Sequence, residues 1–217
     1  MDVHADGPAR RARLAQSRLY FVLEAHPRGR DPDELLEAAL RGGVDVVQLR
    51  EKELADEALV AAAAPFRAAC ARHGALFVLN DRPDLVEACG ADGVHVGQGD
   101  APATEARAQV GPERLVGVSV GSREEMLAAE AAGADYAGVG TIFATPTKPE
   151  EPAEGLELVR LAARTLTIPW FAIGGIERST VDAVAAAGAP GVAVVRAIRD
   201  AEDPEAAARA LRAALDR

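Results

Sequence analysis

The chain has 217 residues, of which 49% are hydrophobic and only 4% aromatic, a composition typical of a folded globular protein rather than a disordered one. Its net charge of −10 argues against nucleic acid or an anionic membrane as a partner, because both repel an acidic protein. No run of about 18 consecutive apolar residues occurs, so the sequence predicts no membrane span.

Residues 1–17 are rich in arginine and alanine and lack the apolar segment of a signal peptide. We interpret them as a flexible N-terminal extension and expect a cytoplasmic protein. Cys70 and Cys89 have neither CxxC nor metal-ligand spacing, and we predict that both are buried thiols in a reducing compartment.

From Arg18 onward, short β-branched runs alternate with alanine-rich helical stretches. Most of the runs are almost continuously apolar, as in parallel strands that are covered on both faces. The predicted strands are residues 19–23, 44–49, 76–79, 93–96, 115–119, 136–140, 170–173 and 192–195. The predicted helices are residues 33–41, 56–73, 84–88, 103–110, 123–132, 155–163, 179–187 and 204–215.

Strand and helix units repeated eight times within one short chain predict a single (β/α)8 TIM barrel, here a catalytic domain over residues 18–217. The competing architecture is a doubly wound open sheet. That fold usually carries a glycine-rich GxGxxG turn after its first strand, and no such turn follows residues 19–23.

Polar motifs follow the predicted strands, at the end where a barrel carries its active site. Alternation along the second strand predicts that Gln48, Arg50 and Lys52 face the mouth, whereas Leu49 and Glu51 point away. Taken alone, each motif also fits an ordinary turn, helix cap or surface loop. The other motifs are Asn80-Asp81-Arg82, His95 to Asp100, Ser119, Thr145 to Lys148, Gly174-Gly175 and Val195-Arg196.

Positive charge is concentrated in two of these motifs. Lys52 and Lys148 are the only lysines among 24 lysines and arginines, and each stands shortly after a predicted strand. Together with Arg50 they would place three cations on a polyphosphate. Asp81 and Asp100 are hard oxygen ligands on neighbouring loops and suit Mg²⁺ that phosphates also hold.

A second anion site is predicted at Gly174-Gly175 and the segment after Val195. Barrels commonly bind phosphate with the loops after strands seven and eight and the start of a short helix. The sequence suggests no Ser–His–Asp or Cys–His arrangement. We interpret His95, the histidine at the mouth, as a structural residue or as one that supports the residues in contact with substrate, rather than as a proton carrier. A reaction with a diphosphate leaving group and Mg²⁺, and with little acid–base help, fits these residues.

Seven motifs together resemble the thiamine phosphate synthase family, and the resemblance runs from about Arg18 to the C-terminus. They are Val-Gln-Leu-Arg-Glu-Lys, Asn-Asp-Arg, Gly-Val-His-Val-Gly-Gln, Gly-Val-Ser, Thr-x-Thr-Lys, Ala-Ile-Gly-Gly-Ile and Gly-Val-Ala-Val-Val-Arg-Ala-Ile. The resemblance implies a transferase of thiamine biosynthesis. Such an enzyme joins hydroxymethylpyrimidine diphosphate to a thiazole phosphate and releases pyrophosphate, with Mg²⁺ as cofactor.

The same resemblance implies roles for individual residues. The pyrimidine diphosphate would be held by Gln48, Arg50, Lys52, Asn80, Ser119 and Lys148, of which Arg50, Lys52 and Lys148 would be catalytic. The thiazole phosphate would be held by Thr145, Thr147, Gly174, Gly175, Val195 and Arg196. The metal ligands would be Asp81 and Asp100.

Two departures from the family pattern stand out. Arg196 replaces a serine of some relatives, which leaves open whether its side chain or its backbone contacts the thiazole phosphate. Gly99 replaces an acidic residue often found before the metal-binding aspartate.

Two alternatives remain open on the sequence. One is a thiazole tautomerase-like paralogue, although its Ser-Val-His stretch is Ser119-Val-Gly121 here. The other is a non-catalytic barrel that binds a phosphorylated ligand. The sequence also leaves open a homo-oligomer and the choice between a carboxylated and a decarboxylated thiazole.

Overall fold

The computed structural model describes residues 6–27, 29–145 and 153–216. Within these ranges, eight parallel strands form a closed barrel in sequence order, in which β8 pairs with β1. The strands are β1 (Leu19–Leu23), β2 (Val46–Leu49), β3 (Leu76–Asn80), β4 (Gly93–Val96), β5 (Leu115–Val120), β6 (Tyr136–Val139), β7 (Trp170–Ile173) and β8 (Val192–Val194). The predicted (β/α)8 barrel is confirmed.

Helices surround this barrel. They are α1 (Gly7–Gln16), α2 (Pro32–Arg41), α3 (Asp56–His73), α4 (Val86–Cys89), α5 (Ala103–Val110), α6 (Arg123–Ala131), α7 (Gly155–Thr165), α8 (Val181–Ala186), α9 (Arg196–Arg199) and α10 (Pro204–Leu215). A single 3₁₀ turn (Pro83–Leu85) precedes α4. Among the described helices, none is both long enough and apolar enough to cross a membrane.

The strands bury both of their faces, which is why they read as continuous apolar runs. On β1, Leu19, Phe21 and Leu23 pack in the layer between strands and helices, whereas Tyr20 and Val22 belong to the cluster that fills the barrel interior. This alternation follows from the two-residue period of a strand. It also directs alternate residues into the interior, where a site can form at the open end.

Three aspartates secure the end of the barrel at which the strands begin. Asp45, Asp92 and Asp135 directly precede β2, β4 and β6, and each accepts a backbone N–H from the first or second residue of the preceding strand. The donors are Leu19 N at 3.0 Å, Phe77 N at 3.0 Å and Val116 N at 2.8 Å. Each carboxylate is also paired with an arginine, so its charge is compensated.

Helix α1 closes the same end of the barrel. Leu14 is 2% exposed and joins the interior cluster, which stabilises the fold by about 2 kcal/mol. Arg10 Nε lies 2.7 Å from Asp92 Oδ1, and Arg11 Nε lies 2.7 Å from Asp135 Oδ1. The expectation of a flexible extension over residues 1–17 is therefore wrong for residues 7–16. A helix rich in arginine and alanine gave little sign of burial, because its contacts depend on aspartates far away in the chain.

Candidate active site

One cavity of about 930 Å³ opens where the strands end. Twelve of the fourteen residues that the sequence singles out line it, although they come from seven different strand ends. They are Gln48, Arg50, Lys52, Asn80, Asp81, Asp100, Ser119, Thr145, Gly174, Gly175, Val195 and Arg196. The other two, Thr147 and Lys148, lie outside the described residues.

At the end of β2, alternate side chains point towards the cavity and away from it, as predicted from the sequence. Gln48 and Arg50 line the cavity, whereas Leu49 is fully buried in the layer beneath the helices. Glu51 turns away from the cavity, and its Oε1 accepts the backbone N–H of Ala25 at 2.5 Å. That bond holds the loop after β1 beside β2. Arg50 and the exposed Lys52 therefore present positive charge on the side that faces the cavity.

Two carboxyl groups meet at the cavity after β3 and β4. Asp100 lies beside Asp81, and burial together with this second carboxyl group raises the pKa of Asp81 from 3.8 to about 6. Asn80 Nδ2 donates to Asp81 Oδ2 at 2.5 Å, and the backbone N–H of Gly97 donates to Asp100 Oδ2 at 2.9 Å. Both carboxyl groups are thus held in place by neutral donors.

The backbone at Asp81 is unusual. Its φ of 58° makes it the one residue other than glycine with a positive φ in the described ranges. Its N–H donates to the carbonyl oxygen of His95 at 2.8 Å, which ties the end of β3 to β4. Aspartate tolerates this conformation better than most residues, at a cost of order 1 kcal/mol. Such local strain is typical of residues that a function keeps in place.

This pair of aspartates fits a hard divalent cation. Two carboxyl groups in mutual contact repel each other when both are ionised, and a cation between them would remove that repulsion. In the described ranges, no group of three or more His, Cys, Asp or Glu side chains could hold a metal ion. A cation here would therefore keep water or take substrate oxygens as its remaining ligands, which is the habit of Mg²⁺.

The opposite wall contains a turn built from Gly174 and Gly175, with φ values of 106° and 60°. A Cβ at Gly174 would lie 2.7 Å from Thr141 Cγ2, and one at Gly175 would lie 2.7 Å from Phe143 Cβ. The missing side chains let the loops after β6 and β7 pack together. Both glycines also line the cavity, so that backbone atoms without side chains form this part of its wall.

Val195 and Arg196, at the start of helix α9, also line the cavity. Arg199 holds this short helix in place, because its 3% exposed side chain pairs with Glu24 after β1 and with Asp200, at 2.6 Å each. Arg196 is exposed and lines the same cavity as the glycine turn.

Tyr20 and Tyr136 also line the cavity, and neither was singled out from the sequence. Their hydroxyl oxygens lie 3.0 Å apart, deep in the barrel, and His95 Nδ1 lies 3.2 Å from Tyr136 Oη. Burial raises the pKa of both tyrosines above their ordinary value. One signal was available: these are the only two tyrosines of the chain, and both lie in predicted strands.

Comparison with known proteins gives a consistent family. The sequence model of the family described as thiamine monophosphate synthase matches residues 19–198. The thiamine-phosphate synthases of Gloeobacter violaceus and Thermobifida fusca are 52% and 49% identical over 200 and 204 residues. The matches cover 92% and 93% of this chain. The chain spans 58% of the Gloeobacter protein, little more than half, and 94% of the Thermobifida protein.

Solved structures agree with the sequence comparison. The thiamine phosphate pyrophosphorylase from Pyrococcus furiosus superposes with a TM-score of 0.85 at 33% identity, covering 94% of this chain and 97% of that one. A 3-hexulose-6-phosphate synthase reaches a TM-score of 0.64 at 23% identity, a likeness of fold alone. With a family match over residues 19–198 and relatives about half identical, this chain belongs to the thiamine monophosphate synthase family.

Proposed function

We propose that this chain is a thiamine-phosphate synthase, which joins hydroxymethylpyrimidine diphosphate to a thiazole phosphate and releases pyrophosphate. One observation carries the proposal: a single cavity combines cationic residues and paired carboxyl groups on one wall with a glycine turn on another. A diphosphate suits the first wall and a phosphate monoester suits the second. The family and the names of the relatives support the same reaction.

The part of the cavity that would bind the diphosphate stabilises it through positive charge. Arg50 and Lys52 from the end of β2, with Lys148 from the sequence motif after β6, would hold the diphosphate oxygens. These cations stabilise the negative charge that grows on the diphosphate as its bond to the pyrimidine methylene carbon breaks. Mg²⁺ held by Asp81 and Asp100 would, when bound, neutralise further charge on the diphosphate.

The reaction needs no general base at the attacking atom. The bonding electrons leave with the diphosphate, and the remaining pyrimidine methylene cation accepts the lone pair of the thiazole nitrogen. That nitrogen carries no proton and becomes quaternary, so none has to be removed. Positioning of the two substrates then accounts for much of the rate. Gln48, Asn80 and Ser119, which line the cavity, can position a substrate through hydrogen bonds.

The thiazole phosphate would bind at the turn of Gly174 and Gly175, with Thr145, Thr147 and the Val195–Arg196 backbone completing the contacts. Arg196 adds a positive charge where some relatives have a serine. Exposure of this side chain to the cavity is compatible with direct contact to a phosphate.

The reactants are small phosphorylated molecules, and we infer a cytoplasmic reaction. Cys70 and Cys89 support that compartment, because both are buried and neither forms a disulfide in the described ranges.

The direct test mixes purified protein, Mg²⁺, hydroxymethylpyrimidine diphosphate and thiazole phosphate, and measures thiamine phosphate and pyrophosphate. Equal amounts of both products are expected, and both should depend on each substrate. A protein that binds thiazole phosphate but forms no product would contradict the proposal and favour a ligand-binding barrel. A protein that exchanges protons on the thiazole without using the diphosphate would favour the tautomerase alternative.

A further inference from the structure

Five side chains form a continuous hydrogen-bonded chain across the interior of the barrel. Gln48 Nε2 lies 2.8 Å from Tyr20 Oη, and Tyr20 Oη lies 3.0 Å from Tyr136 Oη. Tyr136 Oη lies 3.2 Å from His95 Nδ1, and His95 Nε2 lies 2.9 Å from Ser119 Oγ. The residues come from β2, β1, β6, β4 and β5, so the chain links two residues of the cavity that are not neighbours.

The donors along this chain follow from Gln48. An amide nitrogen only donates, so the oxygen of Tyr20 accepts its hydrogen. Tyr20 is left with one hydrogen, and its other hydrogen-bond partner among the described residues is Tyr136. Tyr136 therefore accepts from Tyr20 and must donate its own hydrogen to His95 Nδ1.

The same logic determines the other end of the chain. A neutral histidine that accepts at Nδ1 carries its hydrogen on Nε2, and this hydrogen points to Ser119 Oγ. The oxygen of Ser119 thus accepts within the chain, which leaves its hydroxyl hydrogen for the cavity. At the first end, Gln48 directs one of its two amide hydrogens to Tyr20, and its carbonyl oxygen, which has no partner among the described residues, is left to accept from the ligand.

The direction of the hydrogen bond at Gln48 determines the direction of the hydrogen bond at Ser119. If Gln48 turned its oxygen to Tyr20, every hydrogen along the chain would point the opposite way, and Ser119 would donate to His95. The cavity would then meet an amide nitrogen at Gln48 and only hydroxyl lone pairs at Ser119. A diphosphate oxygen is an acceptor without hydrogens, so at Ser119 it can bind only in the first arrangement, in which Ser119 donates.

The barrel has space for this chain because two strands carry glycine where it passes. A Cβ at Gly117 would lie 2.1 Å from Tyr136 Cζ, and one at Gly138 would lie 3.2 Å from His95 Cε1. Gly117 is in register with both His95 and Tyr136. Burial raises the pKa of both tyrosines, so each keeps its single hydrogen at neutral pH.

We propose that Tyr20, Tyr136 and His95 are positioning residues that set the hydrogen-bond direction of Gln48 and Ser119 before substrate binds. Gln48 then presents an acceptor and Ser119 a donor to the pyrimidine diphosphate. The role of the two end residues rests on the proposed function, whereas the direction of the chain is a property of the free protein. The two parts are therefore tested separately.

The first test reads the histidine tautomer by ¹⁵N NMR of the substrate-free protein at about pH 8, where an ordinary imidazole is neutral. The protein has three other histidines, so the signal of His95 is identified by its loss in His95→Gln. We expect hydrogen on Nε2 in the wild type and a mixture of tautomers in Tyr136→Phe. Hydrogen on Nδ1 in the wild type, or an unchanged tautomer in a folded Tyr136→Phe, would overturn the proposal. This result does not depend on catalytic activity.

The second test uses kinetics of Tyr20→Phe and Tyr136→Phe, which keep the ring and remove one hydroxyl. We expect kcat/KM for the pyrimidine diphosphate to fall about 10-fold to 100-fold, with KM for thiazole phosphate unchanged. Phe21→Leu is the control, because Phe21 lies on the same strand but is buried in the other layer. An equal loss of kcat/KM for both substrates would mean a merely structural role and overturn the proposal. An equal loss of kcat/KM in Phe21→Leu would do the same.

Discussion

The carboxyl groups of Asp81 and Asp100 lie beside each other at the cavity, although they follow different strands. This contact raises the pKa of Asp81 to about 6, chiefly through burial and then through Asp100. The arrangement is unfavourable for the free protein and favourable for a cation. Residues that serve a ligand often reduce stability in this way.

The stability of the protein should therefore rise when Asp81 is neutralised. Between pH 3.8 and about 6, the folded chain holds a proton on Asp81 that the unfolded chain has released, so the free energy of unfolding falls as pH rises through this window. We expect Asp81→Asn to raise the free energy of unfolding by about 1 kcal/mol at neutral pH in metal-free buffer, allowing for partial exposure of the carboxyl group. Urea unfolding at several pH values measures the change.

The matched control for that measurement is Asp84→Asn. The hydrogen bond and charge of Arg82 lower the pKa of Asp84, so this substitution should reduce stability at neutral pH instead. A loss of stability in Asp81→Asn at neutral pH would contradict the assignment of Asp81 as a destabilised carboxyl group.

Removal of Mg²⁺ should abolish synthase activity, and loss of either aspartate should weaken the response to the metal. We expect Asp81→Asn and Asp100→Asn each to raise the Mg²⁺ concentration for half-maximal rate at least ~10-fold, because each removes a charged oxygen ligand. Glu157→Gln on the exposed face of α7 should leave the titration unchanged. If either aspartate variant showed a normal Mg²⁺ titration, that aspartate would not be a metal ligand, and its role would be to hold its loop in place.

The two lysines should be needed for turnover and not for folding. We expect Lys52→Ala and Lys148→Ala to lower kcat ~100-fold, because each removes a cation from the departing diphosphate. Thermal unfolding should change little, since Lys52 is exposed. Arg72→Ala, which removes an exposed cation paired with Glu37, is the control for charge alone. Unchanged turnover in Lys148→Ala would exclude that residue from the reaction.

The glycine turn should discriminate between the two substrates. Gly175→Ala places a Cβ against Phe143 and the oxygen of Ala144, so we expect KM for thiazole phosphate to rise more than KM for the pyrimidine diphosphate. Gly133→Ala is the control, because Gly133 also has a positive φ but no atom within 4 Å of the added Cβ. Both variants should lose about 1 kcal/mol through backbone strain. If KM for thiazole phosphate were the same in both, the turn would not bind that substrate.

Helix α1 should be an integral part of the folded barrel. We expect Leu14→Ala to lower the free energy of unfolding by about 3 kcal/mol, because Leu14 is buried in the interior cluster. Leu127→Ala removes the same atoms from a side chain that is 42% exposed and should cost well under 1 kcal/mol. Equal effects of the two substitutions, measured by chemical unfolding, would show that α1 does not close the barrel.

The strands and most of the cavity residues could be predicted from the sequence, because they depend on local pattern. Short runs, most of them almost continuously apolar, marked all eight strands, and the limits of β1, β4 and β7 agree with the structure residue for residue. The polar residues at strand ends then converge because every barrel strand points its carboxyl end to one side. The alternation around Leu49 similarly predicted which neighbours line the cavity.

Contacts between distant residues were decided by tertiary structure alone. Tyr20 and Tyr136 are 116 positions apart, and Arg10 meets Asp92 across 82 positions. A pattern within a short window contains no information about such pairs, because their proximity depends on barrel closure and on the glycines that leave space inside. The sequence by itself therefore determined the strands, the barrel and the residues at its mouth. The folded barrel decided the burial of α1, the contact of Asp81 with Asp100 and the direction of the hydrogen bonds that end at Ser119.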